Sequence, residues 1–183
     1  MRVSINAAGV EGVGESGNPA MSQDGRYVAF ESIVTSLISG DTNNIRDVFR
    51  KDLQTGLVIR ASAKNDGTEI TTGESAAASI SANGDAIGFF SLGTDLVTGD
   101  TNGIRDTFIR FLTTATTVRT SVGTGGVQGN GISLGFLSAD ANKTLLVSAA
   151  SNLVTGDSNA VDDVFFRNLQ TGETLRVSVG TGN

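Results

Sequence analysis

Three short stretches of this sequence gather enough oxygen-bearing side chains to hold a hard cation. Leu96–Arg110, LVTGDTNGIRDTFIR, sets Asp100, Asn102 and Asp106 around a glycine turn, then passes into β-branched and aromatic residues. The same spacing returns as Asp41, Asn43 and Asp47, and again as Asp157, Asn159 and Asp163. The oxygens fall at the first, third and seventh positions of each loop. Calcium takes about six to eight oxygen ligands, with carbonyls and water completing a carboxylate set, so these nine residues are the candidate metal ligands. The set lacks the fifth-position carboxylate and the bidentate glutamate at the twelfth position that a helix–loop–helix calcium site would supply. A second reading needs no ion. Asp and Asn close Asx turns, a following Gly or Asn takes positive φ, and the second Asp receives backbone N–H groups at a strand start. A repeat would carry such a turn in every unit. The turn reading is favoured and implies no cofactor; calcium is the alternative.

Other chemistries are narrowed by composition. The 183 residues contain no His, no Cys and no Trp. Histidine acid–base catalysis, histidine-bound zinc or iron, thiolates and disulfides are thereby excluded. Serines abound, but there is no histidine base and no G-x-S-x-G elbow. Paired carboxylates for glycoside hydrolysis remain open in principle, yet the recurring acidic residues sit in the same turn of every unit, which suits structure better than one asymmetric site. Gly123–Gly131, GTGGVQGNG, has phosphate-loop-like spacing, but no helix follows it. The net charge of −6 makes nucleic acid an unsuitable partner. No run approaches the length of a membrane span, and the N-terminus lacks the apolar core of a signal peptide. Arg46 and Arg105 precede the second Asp of two loops and Asp162 takes that place in the third; all three are expected to be solvated surface positions.

The loops recur because the whole chain repeats. Units opening at Ser22, Ser81 and Ser138 align without gaps for about forty residues, with periods of 59 and then 57 residues. Each ends on Arg-x-Ser, at Arg60–Ser62, Arg119–Ser121 and Arg176–Ser178, and the chain also begins with this phrase at Arg2–Ser4. Each unit reads as four strands. A small, polar strand (GNPAMS, AAASIS, SLGFLS) is followed by a turn and a second strand (RYVAFES, DAIGFFS, KTLLVS). Beyond the acidic loop come a third (DVFRKD, DTFIRF, DVFFRN) and a fourth (LVIRAS, TTVRTS, TLRVS). No window carries a helical stripe. Four antiparallel strands per repeat predict an all-β chain, a β-propeller of four-stranded antiparallel blades with three blades per chain. The expected blades cover residues 17–64, 75–122 and 132–180, with an outer strand and linker over 1–16. Small first strands should line the channel. Phe30, Phe89 and Leu146, with Phe49, Phe108 and Phe165, should pack between blades. The arginine of each fourth strand should point to water.

The run S-x-DG-R-Y-V-A-F-E-S followed by R-D-V-F-R-K-D-L-Q-T-G resembles the WD-like repeat of TolB-type β-propellers, in which an SPDG-like turn, an IAF-S strand and a DIYV-D strand follow an inner strand. The resemblance covers nearly the whole chain. It is strongest in Ser22–Ser62 and weaker where Asp24-Gly25 becomes Asn83-Gly84 and then Asp140-Ala141. The phrase NLV-GD-N matches a long-loop bacterial subtype. The resemblance implies a six-bladed ring, a periplasmic or extracellular location, and roles as a binding scaffold or as an accessory domain of peptidases.

Function is therefore expected to be non-catalytic binding or scaffolding, with an unknown protein or small ligand as partner and the variable linkers AAGVEGVGESGN, NDGTEITTGESA and TGGVQGNGI as candidate recognition loops. The alternatives are a carboxylate-dependent hydrolase or lyase at the channel mouth, and an excised or engineered repeat fragment. Three blades are too few for an ordinary ring, so a homodimer closing a six-bladed ring is expected. Its ends should expose Phe30 or Phe49 on one side and Leu146 or Phe165 on the other. One of the duplicated segments Arg2–Ile5 and Arg176–Val179 should complete its blade, and the other should fray or reach across to pair with the partner chain as a strand-exchange clasp.

Overall fold

The computed structural model describes residues 2–159 and 161–179. The first residue and the expected end of the third blade at residue 180 lie outside the described residues. The chain is all-β, as the repeat predicts. Strands β1 (Ser16–Met21), β2 (Tyr27–Ser32), β3 (Asp47–Asp52) and β4 (Val58–Arg60) form the first sheet. Strands β5 (Ser75–Ile80), β6 (Ala86–Ser91), β7 (Asp106–Phe111) and β8 (Thr116–Arg119) form the second. The third holds β9 (Ser133–Leu137), β10 (Lys143–Ser148), β11 (Asp163–Asn168) and β12 (Thr174–Arg176). All are antiparallel meanders in chain order. Among the described residues a single 3-10 turn, Thr35–Leu37, lies between β2 and the first acidic loop.

The turn between the first two strands is closed by side chains. Ser22 Oγ donates to Asp24 Oδ1 at 2.6 Å, Asp24 Oδ1 accepts Arg26 N at 3.0 Å, and Ser22 Oγ accepts Tyr27 N at 2.9 Å. Ser81 with Asn83, and Ser138 with Asp140, repeat this network. The turn needs a left-handed residue: Gly25 at φ 73° and Gly84 at φ 74° supply it, whereas the third unit places Ala141 there at φ 58°. A left-handed Cβ costs about 1 kcal/mol. Ala141→Gly is therefore expected to raise the melting temperature by about 2–4 °C for a chain of this size. Calorimetry checks this, and an unchanged or lower value would mean that the turn is not strained.

The uneven period has two sources. Ser75 precedes Ser81 by six positions, but Ser133 precedes Ser138 by five, because β1 and β5 carry a bulge and β9 does not. Asn18 and Ala77 take positive φ in those bulges. The second missing residue is lost from the linker between Ser121 and Ser133.

The central strands of the first two blades are buried on both faces, whereas those of the third blade are buried mainly on one. Phe89 and Phe108, ring centroids 5.9 Å apart, join Ala29, Val48 and Ala61 of the first blade in one core. Gly135, on the corresponding face of the third blade, would carry its Cβ 3.0 Å from Thr107 Cγ2 of the second. The large residues of each blade thus face the preceding blade, and the alternate residues receive the following one. Small side chains stand where the next inner strand crosses, Ala29 and Gly88 at one position, Ala20 and Ser79 at another.

That polarity corrects the expectation for the chain ends. Phe30, Phe49, Leu146 and Phe165 are all buried. Val3, Val34, Leu37 and Ile38 close over Phe30 and Phe49. The open surface is the alternate face of the third blade. There Phe136, Leu145, Phe166 and Leu175 form one cross-strand row, with Phe136 60%, Leu145 48% and Leu175 45% exposed. Of the duplicated segments, Arg176 lies in β12 and completes the third blade, while Ile5 makes only an isolated bridge to Glu11.

Candidate functional site

All nine acidic-loop residues are gathered by the fold, and each set surrounds an arginine. In the first blade Arg60 Nη1 lies 3.3 Å from Asp47, 3.5 Å from Asp41 and 2.9 Å from Glu69, while Nη2 donates to Gly40 O at 3.0 Å. The Arg60 side chain is 7% exposed, Asp41 2% and Asp47 0%. Arg119 sits 3.2 Å from Asp100 and 3.6 Å from Asp106. Arg176 sits 3.1 Å from Asp157 and 3.4 Å from Asp163. The expectation that these arginines point to water is thus wrong. The outer strand turns its arginine inward because two buried carboxylates lie opposite it, and one guanidinium stands within ion-pair distance of both.

The third-position amides act as clamps. Asn43 Oδ1 accepts Ile45 N at 3.0 Å, and its Nδ2 donates to Asp47 Oδ2 at 3.0 Å and to Ile70 O at 3.2 Å. Asn102 and Asn159 bind Asp106 and Asp163 in the same way. The final serine of each unit completes the set. Ser62, Ser121 and Ser178 donate to Asp47, Asp106 and Asp163, and accept Val48 N, Thr107 N and Val164 N. The linker adds one more partner: Glu69 accepts from Thr42, and the Gln128 amide lies 3.2 Å from Thr101 Oγ1.

Chemically each cluster is an ion-pair latch joining the acidic loop to the third and fourth strands, and in the first two blades it also takes in the linker to the next blade. A guanidinium stands between the two carboxylates of each loop, and the amide of the third position turns its nitrogen toward the second carboxylate. Among the described residues no three His, Cys, Asp or Glu side chains converge as a metal-holding group. Sequence reasoning missed Arg60, Arg119, Arg176 and the three serines as parts of the site. Their signal was available: Arg and Ser follow the second Asp by thirteen and fifteen positions in every unit.

Two carboxylates of the first latch are shifted in opposite directions. Burial, then the neighbouring Asp47 charge, pushes Asp41 up to about 6. Hydrogen bonds from Thr42, with Arg60 beside it, hold Glu69 down at about 2. Burial and Asp106 likewise raise Asp100. A carboxyl raised in the folded state favours folding most when protonated, so the Asp41 contribution falls as pH climbs from about 4 to 6 and is constant above. Glu69 has the opposite sign: its stabilisation is present above about 4.5 and is lost as pH falls toward 2. In melting scans, the gain of Asp41→Asn over wild type should grow between pH 4 and 6. The deficit of Glu69→Gln should shrink below pH 4. Parallel pH curves for all three proteins would count against this account.

The other basic loop residues are also engaged. Arg46, expected to be solvated, reaches Glu31 at 3.3 Å, Glu15 at 3.4 Å and Glu74 of the next blade at 3.8 Å, and its side chain is 22% exposed. Arg105 stacks over Phe90 at 4.4 Å. Asp162 is exposed.

No family model matches the sequence, and no curated protein matches it. Solved structures do. TolB from Acinetobacter baumannii is similar over 88% of this chain and 32% of its own, at 22% identity and a TM-score of 0.52. A putative TolB from Agrobacterium tumefaciens aligns over 88% of this chain and 48% of its own, at 14% identity and a TM-score of 0.55. Dipeptidyl peptidase 4 from Porphyromonas gingivalis aligns over 92% and 26%, at 14% identity and a TM-score of 0.56. The chain thus spans a quarter to a half of the length of these proteins. The three sheets are blades of a β-propeller, and the fold is the one TolB shares.

Proposed function

We propose that this chain is a non-catalytic β-propeller module for binding or scaffolding, and that two copies join head to tail into a six-bladed ring. The observation that carries the reading is the open face of the third blade. In the first two blades the equivalent face is buried by the following blade, and here it presents Phe136 and Leu145 instead of alanine, serine or glycine. On the first blade a cleft of about 220 Å³, lined by Val3, Ser16, Gly17, Pro19, Val28 and Phe30, faces the direction a preceding blade would occupy. Large side chains at one end and a cleft at the other suit a blade-to-blade junction.

Backbone groups support the same register. Ser75 N donates to Arg46 O at 2.8 Å, and Ser133 N to Arg105 O at 3.0 Å. Gln23 N donates to Ala82 O, and Ala82 N to Ala139 O. Continuing each series pairs Asp162 O with Ser16 N, and Ala139 N with Gln23 O, of a second copy. Light scattering at micromolar concentration tests the ring: a mass twice 18.7 kDa supports it, and a stable 18.7 kDa species overturns it.

The acidic latches serve as structural joints in this reading. Calorimetric titration with calcium, beside melting scans with chelator, should show neither heat nor shift; saturable binding would assign the nine loop residues to a metal instead. Peptidases stand among the proteins of similar fold by name, so a glycosidase and peptidase screen accompanies these tests. Turnover lost with a single Asp or Glu substitution would favour the hydrolase or lyase reading. Ligands are expected at the channel mouth, where linkers of several blades meet. The TolB resemblance supports a periplasmic or extracellular setting. Among the described residues no helix is long and apolar enough to cross a membrane.

A further inference from the structure

The N-terminal segment carries a second copy of the parts that complete a latch. Arg60, Ser62 and Glu69 serve the first blade's aspartates, and Arg2, Ser4 and Glu11 stand at identical spacings. The bridge Ala63↔Glu69 recurs as Ile5↔Glu11, and the Arg60–Glu69 pair recurs as Arg2–Glu11 at 2.6 Å. Lys51 Nζ donates to Ile5 O at 2.7 Å, as Arg110 donates to Lys64 O at 2.9 Å and Arg167 to Val122 O at 3.1 Å. Residues 5–11 therefore lie on the first blade as 63–69 lie on the second. The difference is the aspartates. Arg2 and Glu11 side chains are 50% and 64% exposed, against 7% and 20% for Arg60 and Glu69.

The third blade has the converse deficit. Asp157 and Asp163 take Arg176 and Ser178. Ser158 stands where Thr42 meets Glu69 and Thr101 meets Gln128. Among the described residues no side chain stands beside Ser158 in that way.

We propose that in the ring Arg2–Ser4 of one copy replaces Arg176–Ser178 as the closing strand of the other copy's third blade, bringing Glu11 to Ser158. The proposal rests on the head-to-tail ring. If the junction between copies matches the internal ones, the residues just before the linker must occupy the fourth-strand position of the preceding blade, as Arg60–Ser62 do. Two segments then contend for one place. Both read Arg-Val-Ser, so the aspartates keep the same partners after exchange. The incoming segment adds Glu11, and it is already anchored on its own blade through Ile5. Val3 would take the position of Ala61 and Thr120, which are 0% and 1% exposed, whereas Val177 is 49% exposed in the chain alone.

Sedimentation equilibrium of the full chain tests the exchange, with Arg2→Ala/Glu11→Ala and Arg176→Ala as variants. The double variant changes only exposed side chains, so its melting temperature as a single chain should match wild type. Its dimer should be at least tenfold weaker, and Arg176→Ala should weaken the dimer less. A double variant that dimerises like wild type, or a dimer lost only with Arg176→Ala, overturns the exchange and leaves the ring standing. A wild-type chain that stays at 18.7 kDa overturns the ring and the exchange together.

Discussion

Asp106→Ala should lower the melting temperature by about 10 °C. Asp106 is 0% exposed at the centre of the middle blade's latch. It accepts the Ser121 hydroxyl and the Asn102 amide, the latter at 2.9 Å, and lies 3.6 Å from Arg119. Alanine would leave Arg119, whose side chain is 10% exposed, with Asp100 as its one remaining carboxylate. It would also strip the Ser121 and Asn102 donors of their acceptor. Removing one partner of a buried ion pair costs about 3–5 kcal/mol, chiefly because the other charge stays buried. For a chain of this length each kcal/mol moves the melting temperature by about 2–4 °C. Asp162→Ala is the control: exposed and outside the latches, it should change stability by less than about 0.5 kcal/mol. Calorimetry of the two variants decides the matter. Asp106→Ala melting within 2 °C of wild type would show that the latch is ornamental, and that the blades are held by their apolar faces alone.

The latch shows which parts of this structure were open to reading from sequence. The period exposes four strands per unit because the same turn and strand residue types return at fixed positions, and a large apolar residue is kept where Phe89 gives way to Leu146. It also locates the acidic loop, since Asp-x-Asn before a strand has few other uses. It does not show where Arg60 goes. A charged residue on a short outer strand is usually solvated, and only the two aspartates folded opposite it reverse that preference. Nor does alternation say which of two apolar faces meets which neighbour. Phe30 and Phe49 look like an exposed end until Val3, Val34 and Leu37 are seen over them. The bulges at Asn18 and Ala77 are hidden for a related reason. Ahead of Met21 and Ile80, β1 and β5 are built of small or polar residues on both faces, so a one-residue slip there moves no large apolar side chain and leaves no mark in the pattern.

Phe136→Asp should convert the proposed dimer to monomer without unfolding the chain. In the single chain Phe136 is 60% exposed, so the substitution removes little packing, and a cost within about 0.5 kcal/mol is expected. In the ring the same side chain would meet the cleft formed by Val28, Phe30 and Pro19 of a second copy. Losing a buried phenylalanine there forfeits about 1.5–3 kcal/mol. A carboxylate at that apolar contact adds to the loss, since Phe136 pairs with Leu145 and Leu145 with Phe166, and Lys143 on the same face of β10 is already paired with Asp140. Each 1.4 kcal/mol is about tenfold in affinity, so the association should weaken by at least about a thousandfold. Because the proposed ring has two junctions related by symmetry, both would fail together and no open dimer should persist. Ser79→Asp is the matched comparison on the second blade. Its position is already filled by the third blade, where Ser79 Oγ lies 3.3 Å from Leu137 N, so it should destabilise the fold rather than the assembly. Light scattering and melting scans on the two variants separate the outcomes. A Phe136→Asp protein that keeps twice the single-chain mass would place the contact between copies elsewhere on the surface.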